Sequence, residues 1–269
     1  MDVVGPADHA LAASYTSDAA YSYVTSGAGT SQAAPAVASA VVSLVDWALV
    51  NGFPSIINGG SANVSLIAMG DGQVGTATSS HLPGAIPDSY SGLDRLWGAG
   101  RLRFRLPTDR GMDGPWGWGW GSVVMNPATT HYVRAGGGPF NADVDSYRVV
   151  ASWNEVNLNG GAGTSAADFV LSVISTAPSS GSCPSAPQGT ATTHRSDLSF
   201  DVQKQVRIRR ADIVPMHNRC VYARIDYLSG PSSRTVFYTD VWEDLDRECA
   251  ENLGQCGDSS CTSYAGCVD

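Results

Sequence analysis

The chain has no cysteine before Cys183, no long uninterrupted apolar run and few basic residues, and each shortage closes off a class of protein. Sixteen Lys and Arg stand against 25 Asp and Glu in 269 residues, giving a net charge of -9 and a pI near 4.8. Nucleic acid and anionic membranes would be repelled at long range, so neither is expected as a partner. A membrane span needs roughly 18 to 20 apolar residues. The longest candidate, Ala33 to Val50, is broken by Pro35, Ser39, Ser43 and Asp46, and the chain reads as soluble. Met1-Asp2-Val3 lacks the basic start and apolar stretch of a secretory signal. The Cys-x-x-Cys knuckle of zinc sites is missing too. Cys183, Cys220, Cys249, Cys256, Cys261 and Cys267 are even in number, and the last four crowd a polar tail, which favours disulfides and an oxidising compartment over zinc.

What is present is core material: 43% of the residues are hydrophobic, enough for two domains. The segment that organises the rest is Gly29-Thr30-Ser31-Gln32-Ala33-Ala34-Pro35, running into the apolar stretch Val37 to Val50. Ala28-Gly29 permits a tight turn, and Thr30-Ser31 supplies helix-capping hydroxyls. The spacing predicts a helix from Thr30 to about Val50, ended by Asn51-Gly52-Phe53-Pro54. Its residues are Ala, Val and Leu on nearly every face, which predicts burial all round, as beside a parallel sheet. Pro35 has no N–H, so the Ser31 carbonyl loses its partner four residues on and the first turn distorts beneath the serine. Ser31 then faces unsatisfied N–H groups and the positive helix end, a place where an oxyanion is stabilised.

Gly-Thr-Ser-x-Ala-x-Pro closely resembles the serine-nucleophile motif of the subtilases, the subtilisin-like serine peptidases. Asp2-Val3-Val4-Gly5-Pro6-Ala7 resembles the strand and turn that precede the nucleophile in that family. Leu66-Ile67-Ala68-Met69-Gly70-Asp71 looks like the end of its following helix, and Trp97-Gly98-Ala99-Gly100-Arg101-Leu102 like its closing glycine-rich segment. The family's usual His-Val-Ala-Gly after the proline is Ala36-Val37-Ala38-Ser39 here, and the missing histidine is not the catalytic one. The resemblance implies an α/β fold for residues 1–112, a partial subtilisin-like parallel sheet with a buried helix. It further implies a serine endopeptidase acting on protein or peptide substrates, with Ser31 as the nucleophile.

The subtilase order is Asp, His, then Ser, so His81 and Asp88, which follow Ser31, are not assigned as partners. Asp8 and His9 precede it, but as chain neighbours they point to opposite faces and read as an exposed polar turn. The resemblance therefore places the catalytic aspartate and histidine and the oxyanion asparagine upstream of residue 1, and predicts that the isolated chain is an inactive fragment of a secreted protein.

Residues 11 to 28 read as a loop leading to Ser31, and a short second helix is predicted from Ser61 to Met69. Past a boundary near residue 112, Pro115-Trp116-Gly117-Trp118-Gly119-Trp120-Gly121 puts three indoles on one face of a strand, to stack on sugar rings or, as favoured here, to pack internally. Strands are predicted at Tyr147 to Trp153, Asp168 to Ser175, Ser199 to Arg209, Val221 to Tyr227 and Thr235 to Trp242, which makes residues 113–245 a β-sandwich or jelly roll able to fold alone, followed by a Cys-rich tail, 246–269. Cys183 is expected to pair with Cys220 across that sandwich, and the four tail cysteines among themselves. Asp143 and Asp145 are candidate calcium ligands, against the plainer reading of two solvated carboxylates in a glycine-rich turn. The rival to the peptidase reading is a binding module or pseudoenzyme that uses the sandwich and the Trp-rich segment.

Overall fold

The structure is a computed structural model and describes residues 10–17, 20–27, 30–53, 58–68, 70–71, 101–102, 117–144, 146–154, 167–179, 181–198, 202–209, 212–230 and 232–243. The expected strand at Asp2 to Val4, Asp8, His9, His81, Asp88, Trp116, Asp145, the boundary near residue 112 and the four tail cysteines lie outside them.

Strands β1 (Ala10–Ser17) and β2 (Ala20–Gly27) form an antiparallel hairpin where a loop was expected. Its Ser and Ala content conceals a strand pattern: Tyr15 faces Tyr21, Ala13 faces Tyr23 and Ala12 faces Val24. An aromatic pair, and small residues opposite an aromatic or β-branched one, suit a pleated pair. Helix α1 (Thr30–Val50) follows and stops as the sequence predicts. Gly52 takes φ +75°, and the Phe53 N–H donates to the Ala48 carbonyl at 2.7 Å. Helix α2 (Gly59–Ala68) is capped by Asn58, whose Oδ1 accepts the Ser61 N–H at 2.8 Å. Two-residue strands β3 (Gly70–Asp71) and β4 (Arg101–Leu102) pair antiparallel.

Eight further strands build the larger part: β5 (Gly117–Met125), β6 (Thr129–Arg134), β7 (Ser146–Trp153), β8 (Asp168–Thr176), β9 (Thr192–Asp197), β10 (Gln203–Arg209), β11 (Cys220–Ser229) and β12 (Arg234–Glu243). They form two four-stranded sheets, ordered β10-β7-β12-β5 and β6-β11-β8-β9. Every strand pairing among the described residues is antiparallel. Alternation decides what lies between the sheets. Tyr147, Val149, Ala151 and Trp153 of β7 meet Phe169, Leu171 and Val173 of β8 and Val221, Ala223, Ile225 and Tyr227 of β11 in one core. Trp153, Phe169 and Tyr227 stack in sequence, with centroids 4.3 and 4.2 Å apart, and join the sheets. The fold is thus mostly β and sandwich-like. The strand expected over Ser199 to Arg209 is β10, which begins only at Gln203, and β9 (Thr192–Asp197), which was not expected, precedes it; its sequence, Thr-Thr-His-Arg-Ser-Asp, is too polar and exposed to announce itself.

The two helices cover the outer face of the β10-β7-β12-β5 sheet. Ala40, Leu44, Trp47 and Ala48 of α1, and Val64, Leu66, Ile67 and Ala68 of α2, pack with Trp118, Val150 and Val241. The expectation that α1 is buried all round is corrected. Val42, Leu49 and Val50 are 67%, 59% and 79% exposed, because a helix lying on one sheet buries one stripe, and among the described residues no parallel sheet covers the other side. By length and composition the stretch Ala33–Val50, at mean hydropathy 1.8, also reaches what a membrane span requires, despite its polar interruptions.

Candidate active site

The β1–β2 hairpin delivers the chain to Thr30, and α1 begins there, so Ser31 is the second residue of the helix. Two features follow from that place alone. The first-turn N–H groups of a helix have no acceptor within it, and the first turn of α1 holds no acidic side chain to neutralise their partial charge. Pro35 lies inside the helix, so no N–H from that position reaches the Ser31 carbonyl. One turn on, the Ser39 hydroxyl donates to the Ala36 carbonyl at 2.8 Å. An anion arising at this helix end would meet a positive, donor-rich surface.

The histidines among the described residues all follow Ser31 in the chain and have other engagements. His217 Nε2 lies 2.7 Å from the Val144 carbonyl, which it can meet only as a donor. The His131 ring packs on Tyr238, centroids 5.6 Å apart, and burial pushes its pKa below the ordinary value. His194 Nε2 lies 2.7 Å from Ser175 Oγ, but Ser175 is fully buried, so this pair offers no nucleophile to a substrate. Sequence reading missed it because Ser175 and His194 meet only through the pairing of β8 with β9.

The Trp-Gly repeat has a structural use on both faces of β5. Trp118 is buried and Trp120 half-buried against the helix layer, with Trp120 edge-on to Trp47 at 6.0 Å and to Phe53 at 5.2 Å. Gly117, Gly119 and Gly121 sit opposite Trp242, Asp240 and Tyr238 of β12, and a Cβ at any of them would overlap those side chains. Alternation thus sends two indoles to the helices and leaves the inner face vacant for three large groups of the neighbouring strand. Neither indole forms a free platform for a sugar ring.

Cys183 and Cys220 are joined, with a Cα–Cα distance of 5.3 Å. The bond does not cross the sandwich as expected. Cys220 alternates outward on β11, and the pair packs with Ile174, Tyr222 and Tyr132 on the outer face of its sheet. Asp143 is exposed, and its backbone N–H donates to Asn141 Oδ1 at 3.2 Å, an Asx turn. Among the described residues no group of three or more His, Cys, Asp or Glu is placed to hold a metal ion.

No family model and no curated protein matches the chain. Among solved structures, one described as the structure of infectious bursal disease virus, Gx strain, matches 48% of this chain at 10% identity and a TM-score of 0.19. The match spans only 29% of that chain, and a likeness of this size carries no argument about fold or function.

Proposed function

We propose that the chain is part of a secreted subtilisin-like serine endopeptidase in which Ser31 attacks the scissile carbonyl of a protein or peptide substrate. The observation that carries the reading is the coincidence of the Gly29 to Pro35 motif with the first turn of α1. In this mechanism a histidine takes the Ser31 proton and later returns it to the leaving amine, while an aspartate orients that histidine. The oxyanion of the tetrahedral intermediate is held by the Ser31 N–H, the open end of α1 and an asparagine donor. The histidine, aspartate and asparagine belong, in this proposal, to polypeptide preceding Ser31, as does the parallel sheet against which the exposed side of α1 would rest. Calcium is no part of the mechanism. The disulfide fits an oxidising compartment and so the secreted setting. The rival binding-module reading loses its strongest support, because Trp118 and Trp120 are spent on internal packing.

A fluorophosphonate probe tests the assignment. A chain extended upstream by a segment carrying Asp and His in subtilase order is expected to label at Ser31, and its Ser31→Ala variant is not. The 269 residues alone are expected to stay unlabelled, since a serine hydroxyl without a base is a poor nucleophile. Labelling that survives Ser31→Ala overturns the proposal.

A further inference from the structure

Strand β5 ends its sheet, and among the described residues it is paired only with β12. From Gly117 to Gly121 its inner side carries no side chains, so over that stretch nothing of β5 anchors it in the core between the sheets. Trp118 and Trp120 hold it from the other side, where they pack on the helix layer.

A buried carboxyl lies against this bare stretch. Asp240 of β12 stands directly opposite Gly119, and its Oδ1 fills the space a Gly119 Cβ would need. The residue is fully buried, Oδ1 has no hydrogen-bond partner among the described residues, and Oδ2 accepts the Tyr147 hydroxyl at a long 3.3 Å. Of the elements packed around it, β7 contributes Tyr147, β12 contributes Tyr238, and β6 contributes His131, which packs on Tyr238 and which burial favours in its neutral form. Strand β11 turns Val221, Ala223 and Ile225 into the same core, and β5 brings no titratable group. The buried cations of the described residues stand elsewhere. Arg148 is on the outer face with the Ala68 carbonyl and Glu243, and Lys204 lies over the Trp153 ring at 6.0 Å. Arg234 is six residues back along β12, about 20 Å away at strand spacing. A neutral acid tolerates this setting, whereas a carboxylate with no cation and one oxygen without a donor does not. Burial accordingly raises the Asp240 pKa to about 7, against the partial relief of the Tyr147 bond.

A carboxylate formed here needs water, and β5 alone, among the described residues, separates Asp240 from the end of the sheet. We propose that Asp240 is a proton-controlled latch on β5: while the carboxyl is neutral β5 stays paired with β12, and once the carboxylate forms the Gly117 to Gly121 stretch parts from β12, admits water and loosens Trp118 and Trp120 from the helix layer. In the open state the carboxyl meets water and its pKa returns toward about 4. Opening therefore gains from each rise in pH between about 4 and about 7 and levels off above that window, so the latch is closed in acid. It does not depend on the role proposed for Ser31.

The test is amide hydrogen exchange of the full chain at about pH 5 and about pH 8, expressed as protection factors corrected for the intrinsic exchange rate. Protection from Gly117 to Gly121 is expected to fall roughly a hundredfold between the two. At the higher pH it is expected to lie at least about tenfold below that of Val221 to Ile225 in β11, which open only with the whole fold. Asp240→Asn keeps the shape but cannot ionise, and its β5 protection is expected to be the same at both pH values. Tyr147→Phe removes the hydroxyl that donates to the carboxylate, and is expected to carry the rise in opening to higher pH than in the wild type. Equal β5 protection at the two pH values, equal protection of β5 and β11 at the higher one, or a fall that persists in Asp240→Asn overturns the proposal. Should Asp240→Asn not fold, a pH profile left unchanged by Tyr147→Phe overturns it likewise.

Discussion

Asp240 is the most exacting single residue of the sandwich. Its carboxyl is fully buried opposite Gly119, accepts the Tyr147 hydroxyl at 3.3 Å and has no hydrogen-bond partner at Oδ1 among the described residues. Burial raises its pKa to about 7 against the partial relief of the Tyr147 bond, and burial with the nearby carboxyl raises Tyr147 as well. A folded-state pKa above the unfolded one means that the native protein keeps a proton the unfolded chain has lost, between about pH 4 and about pH 7. The stability contributed by this group is therefore present at acid pH and lost as pH rises through that window. Asp240→Asn should match the wild type near pH 4 and exceed it at pH 8 in urea unfolding, the comparison cancelling the other titrating groups. A difference that stays constant with pH would place the carboxyl in water. The glycines opposite are equally constrained. Gly117→Ala drives a methyl into the Trp242 ring and should cost about 1–3 kcal/mol, whereas Gly137→Ala, with nothing within 4 Å, should stay within about 0.5 kcal/mol. Equal melting temperatures for the two variants would mean that β5 shifts freely against β12.

At the scale of elements, the helix layer is fastened to the sheet by more than apolar contact. Ser65 Oγ meets Thr239 Oγ1 at 3.0 Å, both buried, and Arg148 Nη1 donates to the Ala68 carbonyl at the end of α2 while Nη2 lies 3.8 Å from Glu243. Trp47 lies at the centre of the aromatic contact with Phe53 and Trp120. Trp47→Ala should cost about 3–5 kcal/mol, read by chemical denaturation, and a loss below about 1 kcal/mol would show that α1 rests on the sheet without being held by it. The disulfide acts on a different element, tying the segment after β8 to the start of β11 over a sequence separation of 37. Cys183→Ser with Cys220→Ser should lower stability by about 2–5 kcal/mol, and no change in melting temperature on reduction would refute this. Element types were largely legible. The strands at β7, β8, β11 and β12 and both helices announce themselves by alternation, apolar length and the Gly52 stop. The β1–β2 hairpin was not, because its Ser and Ala residues carry little strand preference of their own, and the pairing of Ala12 with Val24 and of Ala13 with Tyr23 appears only once the two segments are neighbours.

For the whole molecule the expected consequence of this packing is that the sandwich is less stable without the helix layer. Residues 113–245 read as a self-sufficient unit, yet α1 and α2 bury Trp118, Val150 and Val241 and partly cover Trp120 and Phe237. A chain beginning at residue 113 should therefore melt below the full chain and self-associate on size exclusion, since it exposes one contiguous apolar face. A monomeric piece with an unchanged melting temperature would restore the independent domain. The sequence by itself determined the helix that opens at Thr30, the alternation that makes the sandwich and the pairing of Cys183 with Cys220, because each depends on spacing along a single segment or on the segregation of a few residues. Tertiary structure alone decided that α1 buries one stripe, that the glycines of β5 make room for Trp242, Asp240 and Tyr238, and that His194 is turned toward Ser175. These depend on which segments become neighbours, and strand register, set by the packing of both sheets at once, appears in no local stretch of the chain.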